Sequence, residues 1–142
     1  MQPRLSIVTL GVKDLERSAR FYEAVGFEVR RGTSNAVLFQ TIGPILALAS
    51  WEALAEDAHL SPAGDGFRGQ RLVSHFHSMV QVREAYDEWI AAGGYSVRPP
   101  ADRDWGAYTA IVADPDAHLW EFVHNPDQEL VRFNMFGQLE LS

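Results

Sequence analysis

The strongest constraint on this chain is that it reads twice. Sliding the sequence along itself so that Val12 meets Val80 also brings Glu16 onto Glu84, Phe21 onto Trp89 and Ala24 onto Ala92. With no gap, Gly26 then meets Gly94, Phe27 meets Tyr95 and Val29 meets Val97. Identity is low, but the succession of elements coincides, which is how an internal structural repeat shows in a sequence. The same shift sets Ile7 against His75.

Each repeat reads as βαβββ. In the first, the β-branched run within Leu5 to Leu10 predicts a strand, and Asp14 is the N-cap of a helix carrying Leu15, Ser18, Phe21, Tyr22 and Val25 at helical spacing and stopped by Gly26. Strands follow over Phe27 to Arg30, Ala36 to Thr41 and Ile45 to Ala49, separated by turn residues, and Trp51 to Ala58 forms a short helix. The second repeat has a strand over Leu72 to Val80, a helix over Val82 to Ala92 ended by Gly93-Gly94, and a strand over Tyr95 to Arg98. Pro99-Pro100 and Asp102 to Asp104 read as a loop before two final strands on either side of Asp114-Pro115-Asp116. The organisation is one domain, with module one over residues 5–58, a connector over 59–71, module two over 72–125 and a C-terminal extension over 126–142. In that extension, Leu130 to Phe133 and Leu139 to Leu141 flank a turn and suit a short hairpin at a sheet edge or a subunit contact. A helix on the outer face of each module leaves the other sheet faces to line a cup, so the expected fold is α+β, two tandem βαβββ modules forming a cupped mixed sheet.

Composition narrows the partners. A chain of 142 residues, 46% hydrophobic and 11% aromatic, has enough apolar material for a real core. Its formal charge of -7 argues against nucleic acid and against an anionic membrane surface. No apolar segment reaches the roughly 18 residues a membrane span needs. Small molecules remain as the expected ligands. The absence of cysteine removes disulfides, thiolate catalysis and sulfur-ligated zinc, and suits a cytoplasmic protein. No phosphate-cradling glycine loop or nucleophile elbow is present.

The candidate chemistry centres on Glu121. It lies mid-strand, with Leu119 and Val123 on its own face and Trp120 and Phe122 on the other. A carboxylate among apolar neighbours is either paired, for instance with an arginine, or part of a ligand pocket, because an unpaired buried charge costs several kcal/mol. His75 and His77 alternate onto one face of the preceding strand as hydrogen-bonding or proton-transfer groups. Trp105 and Tyr108 precede the penultimate strand, where a loop presents aromatic faces to a ligand, with core packing the competing reading for Tyr108. His118 in the turn and His124 on the Trp120 face read as structural.

Val12-Lys13-Asp14-Leu15-Glu16-Arg17-Ser18, Phe21-Tyr22-Glu23-Ala24-Val25-Gly26-Phe27 and Asp114-Pro115-Asp116-Ala117-His118-Leu119-Trp120-Glu121 together resemble the vicinal oxygen chelate superfamily of glyoxalases, bleomycin-resistance proteins and extradiol dioxygenases. The resemblance covers residues 5 to about 126. One departure is Ala117, where the family usually has glycine, which suggests a slightly different turn. Metal-dependent members ligate a divalent ion from the first and last strands of both modules, and the resemblance maps those positions to Ile7, Ala47, His75 and Glu121. Counting back from the helix instead places Ser74 third. Only His75 and Glu121 carry donor atoms, short of the three or four protein ligands usual in catalytic centres, so no complete metal site is expected, although a divalent ion held weakly with water and substrate oxygens stays open. The cup architecture and the resemblance together imply a homodimer, and the expected ligand pocket is drawn from Ile7, Ala47, His75, His77, Trp105, Tyr108 and Glu121. Two functions follow as expectations: a small-molecule-binding protein of the bleomycin-resistance type, or a glyoxalase-like lyase, isomerase or dioxygenase with Glu121 and His75 as its catalytic pair.

Overall fold

The β-branched strand β1 (Ile7–Val12) gives way to α1 (Leu15–Ala24) where Asp14 accepts the Arg17 amide at 3.0 Å and so satisfies one of the orphan donors of the first turn. Gly26, at φ 104°, ends the helix, and the Phe27 amide returns to the Tyr22 carbonyl at 2.9 Å. Strands β2 (Glu28–Gly32), β3 (Ala36–Gln40) and β4 (Ile45–Ser50) follow, then the short α2 (Trp51–Asp57), capped by the Ser50 hydroxyl. The computed structural model describes residues 1–141; Met1–Arg68 forms one compact unit and the chain from Gly69 onward a second.

The second unit repeats the plan with β5 (Leu72–His75), α3 (Met79–Ala91), β6 (Tyr95–Asp102), β7 (Tyr108–Ala113) and β8 (Leu119–His124). The sheet orders are β1-β4-β3-β2 and β5-β8-β7-β6, with the first pair parallel and the others antiparallel in both. Among the described residues the fold is thus α+β, with three helices and two four-stranded mixed sheets in tandem βαβββ modules. The tail hairpin β9 (Val131–Phe133) and β10 (Leu139–Leu141) forms, but as a two-stranded sheet of its own. No helix among the described residues is long and apolar enough to cross a membrane.

Strand alternation divides each sheet. In unit one, Leu10, Val12, Phe39, Leu46 and Leu48 are buried together with Phe21 and Tyr22 of α1, and the Tyr22, Phe27 and Phe39 rings meet at 5.4 to 6.0 Å. In unit two, Trp89 of α3 packs on Trp120 and Phe122, with ring centroids 5.7 and 5.5 Å away, and its indole N–H donates to the Ala113 carbonyl at 2.8 Å. Burying rings of this size stabilises each half by several kcal/mol.

Three local expectations are corrected. The strand read over Leu72 to Val80 stops at His75, and the helix starts at Met79 rather than Val82. Ser78 is the reason: its hydroxyl accepts from the Gln81 amide at 3.2 Å, and the Gln81 side chain accepts from the His77 amide at 2.9 Å, so this turn is capped before the apolar stripe begins. The strand from Tyr95 runs through Pro99-Pro100 to Asp102 instead of ending at Arg98. Because β6 is an edge strand with register shifts on either side of Arg98, the prolines remove no essential ladder bond.

The Gly93-Gly94 pair divides its duties. Gly93 takes φ 105°, whereas a Cβ on Gly94 would lie 2.3 Å from both Cδ1 and Nε1 of Trp89. Gly94→Ala is therefore expected to destabilise the protein by about 2 kcal/mol through overpacking, read as a lower urea midpoint; an unchanged midpoint would mean that the Trp89 ring moves aside freely.

Candidate functional site

The second sheet places Glu121 on the face away from α3. Its neighbours Trp120 and Phe122 point to Trp89, so the pleat turns Glu121 to the other side. Register partners share a face, which puts Val73, Glu121, Ile111 and Arg98 in one row across β5, β8, β7 and β6. The next row is His75, Val123, Thr109 and Ala101. Arg71, just before β5, reaches the same face: its Nη2 lies 3.4 Å from Glu121 Oε1, with the arginine side chain 44% exposed and the glutamate 11%. The buried carboxylate is thus paired, which is one of the two readings its sequence surroundings allowed.

His75 is half-buried on this face. Burial pushes its imidazole below the ordinary value of 6.5, against an upward pull from the Glu121 carboxylate. At neutral pH the ring is uncharged, with one nitrogen to donate and one to accept. Thr109 is fully buried, and Arg103 holds it through Nε to the hydroxyl at 2.7 Å and Nη2 to the carbonyl at 3.1 Å.

The turn before β8 is built around Asp114, which is fully buried. Its Oδ1 accepts from the Asp116 and His118 amides, both at 2.9 Å, and its own amide donates to the His118 carbonyl at 3.0 Å. Ala117 stands at φ 68°. Alanine bears the steric cost of that left-handed conformation. His118 takes part through its backbone, and His124 Nδ1 sits 3.2 Å from the Phe76 carbonyl, both in structural positions.

The other predicted residues are dispersed. Tyr108 pairs with His124 and faces α3, where its hydroxyl is 3.4 Å from Arg83 Nη1; Thr109, not Tyr108, shares the face of Glu121. His77 lies beyond the end of β5, exposed, with its ring 4.2 Å from that of Phe133 in the tail hairpin, so it does not share a strand face with His75. Trp105 is 61% exposed in the β6–β7 turn. In unit one, Ile7 pairs with Ile45 and Ala47 with Thr9, so Ile7 and Ala47 occupy one face of neighbouring strands, opposite the α1 side.

Arg71 is the residue that sequence reasoning missed. Counting from the helix caps, Asp14 and Ser78, the position matching Ile7 is Arg71, because the caps are 64 residues apart whereas the gapless repeat pairs Val12 with Val80, 68 apart. Sheet register agrees: Ile7 lies two residues before Thr9, the partner of Ala47, and Arg71 lies two before Val73, the partner of Glu121. The Ser78-x-x-Gln81 capping signal was the clue. The four mapped positions are then Ile7, Ala47, Arg71 and Glu121, of which only the glutamate is a metal donor. Among the described residues no three His, Asp or Glu side chains come together. This donor set does not fit a divalent centre with three or four protein ligands.

Comparison with known proteins gives the following. The family described as the Glyoxalase/Bleomycin resistance protein/Dioxygenase superfamily matches residues 4–122. A glyoxalase-related enzyme from Fulvimarina pelagi is similar in structure, with TM-score 0.88 and 29% identity over 100% of this chain and 99% of that one. A glyoxalase/bleomycin resistance protein/dioxygenase from Nocardioides follows with TM-score 0.74 and 25% identity, covering 89% and 86% of the two chains. A glyoxalase/bleomycin resistance protein from Albidiferax ferrireducens T118 has TM-score 0.67 and 27% identity over 86% and 98%. No curated protein matches the chain.

Two outcomes are expected. Ala117→Gly, at an exposed position, should stabilise the protein by about 1 kcal/mol as the left-handed strain is relieved, seen as a higher denaturation midpoint; a lower midpoint would show that chain entropy dominates. His75 binds a proton less readily folded than unfolded, so its contribution to stability is full above about pH 6.5 and is lost as pH falls below it. Between about pH 7.5 and about pH 5, the wild type should lose more stability than His75→Gln; parallel denaturation curves would assign the pH dependence to other groups.

Proposed function

Because the chain belongs to the Glyoxalase/Bleomycin resistance protein/Dioxygenase superfamily, we propose that it is a small-molecule-binding protein of the bleomycin-resistance type that works without a complete metal site. The observation that carries this reading is the Arg71 guanidinium on Glu121. Where metal-dependent relatives bring a second ligand to the carboxylate, this chain brings a fixed positive charge, and the carboxylate needs no ion to offset its burial. The binding surface is the Glu121 face of the second sheet. Val73 and Ile111 supply apolar area, and Arg71 and neutral His75 supply directed hydrogen bonds, the mixture that small-molecule sites use. The working form is a homodimer, as the family resemblance implies, and the cysteine-free sequence suits the cytoplasm.

The competing reading is a glyoxalase-like lyase, isomerase or dioxygenase acting on a small oxygenated substrate. The description of the Fulvimarina pelagi relative as a glyoxalase-related enzyme supports it, as does an uncharged imidazole within electrostatic range of a carboxylate.

A thermal-shift screen of small aromatic and glycopeptide-like compounds on chelator-treated protein separates the two. The expected result is a ligand whose stabilisation is unchanged by zinc, nickel, manganese or ferrous iron and is altered by substituting His75 or Glu121. Stoichiometric metal that copurifies and is lost in Glu121→Gln would overturn the metal-free reading, and a ligand indifferent to both residues would place the pocket elsewhere.

A further inference from the structure

The chain as a whole is acidic, at -7, yet the Glu121 face gathers arginines. Arg71 touches Glu121, Arg98 stands opposite Ile111 in the same row, and Arg103 is fixed over Thr109 in the next. Glu121 is the carboxylate set among them, and His75 is uncharged at neutral pH. Three guanidinium groups placed with one carboxylate on this face are an arrangement that favours an anion over a cation.

The three arginines are not equivalent. Arg103 spends two donors on Thr109, and Arg98 is exposed on the edge strand. Arg71 is half-exposed, with Nη2 3.4 Å from Glu121 Oε1. A guanidinium carries five N–H donors in a planar fork, so the pairing leaves an oriented edge for a second planar acceptor. Beside it, Val73 is an apolar side chain 47% exposed between Arg71 and His75. An exposed valine flanked by a poised cation and a neutral imidazole is a surface for the apolar body of a ligand whose charged end reaches the arginine.

We propose that this face selects a small carboxylate with an apolar body, with Arg71, already paired to Glu121, gripping the ligand carboxylate through its remaining donors. The proposal rests on the metal-free binding reading above and names its ligand class. Glu121 is 9% exposed and already matched, so a cationic ligand would find no free counter-charge there. A ligand carboxylate, by contrast, completes a chain of carboxylate, guanidinium and carboxylate in which both anions share one cation.

The test is titration calorimetry of the full chain in chelator-containing buffer with benzoate and, as its uncharged counterpart, benzamide. Benzoate is expected to bind at least about tenfold more tightly than benzamide, the scale of a charge-assisted bidentate contact. Arg71→Gln should abolish that preference with benzamide affinity kept, and Arg71→Lys, which keeps the charge but not the fork, should retain only part of it. Glu121→Gln should tighten benzoate binding by removing the like charge, a response opposite to that of a glutamate that itself accepts from the ligand. Circular dichroism checks that each variant is folded. Equal affinity for the two probes, a preference that survives Arg71→Gln, or no binding of either probe would overturn the proposal. Binding of both probes without preference leaves the metal-free reading intact, whereas a benzoate preference that appears only on adding zinc or manganese overturns that reading instead.

Discussion

One helix can cover one face of one four-stranded sheet, and that limit governs both halves of this protein. Trp89 and Tyr22, on the crossover helices, collect the side chains that alternate toward them, Trp120 and Phe122 in one unit and Phe39 in the other. Side chains on the opposite phase of each strand are excluded from that core. Glu121, His75, Ile7 and Ala47 belong to this second set, so their availability for function follows from the packing of their neighbours rather than from any property of their own. The Gly93-Gly94 stop shows how closely the core dictates local sequence. One glycine answers to a backbone angle and the other to the space occupied by an indole ring.

The two modules share topology but not spacing, and the difference reaches the site. With the helix caps 64 residues apart, against 68 for the gapless repeat, the position matching Ile7 becomes Arg71. An arginine at that position changes the electrostatics of the face. A histidine beside a carboxylate is half of a metal site, whereas a guanidinium beside a carboxylate is already neutralised and still has donors left. The change from a metal-ligand position to a fixed cation is one substitution in kind, and it sets an ion pair where the resemblance places two ligand positions.

Much of the architecture was legible because it is locally encoded. Asp14, Gly26 and the Asp114-Pro115-Asp116 turn satisfy backbone groups within four residues of themselves, so their roles depend on little else. The places where sequence reading failed are those where a distant partner decides. Pro99-Pro100 looks like a loop unless β6 is known to be an edge strand, and Tyr108 looks like a pocket residue until the register pairs it with His124 on the helix side. His77 resembles a strand neighbour of His75 until Ser78 is seen to cap α3.

By itself, the sequence determined the α+β class, the duplicated βαβββ plan and the face on which Glu121 lies, since helical and strand periods and caps are properties of consecutive residues. Only the tertiary structure decided what stands beside Glu121. Its partner Arg71 lies just before β5, which meets β8 as a parallel neighbour, and that pairing joins segments far apart in the chain, which no run of neighbouring residues encodes.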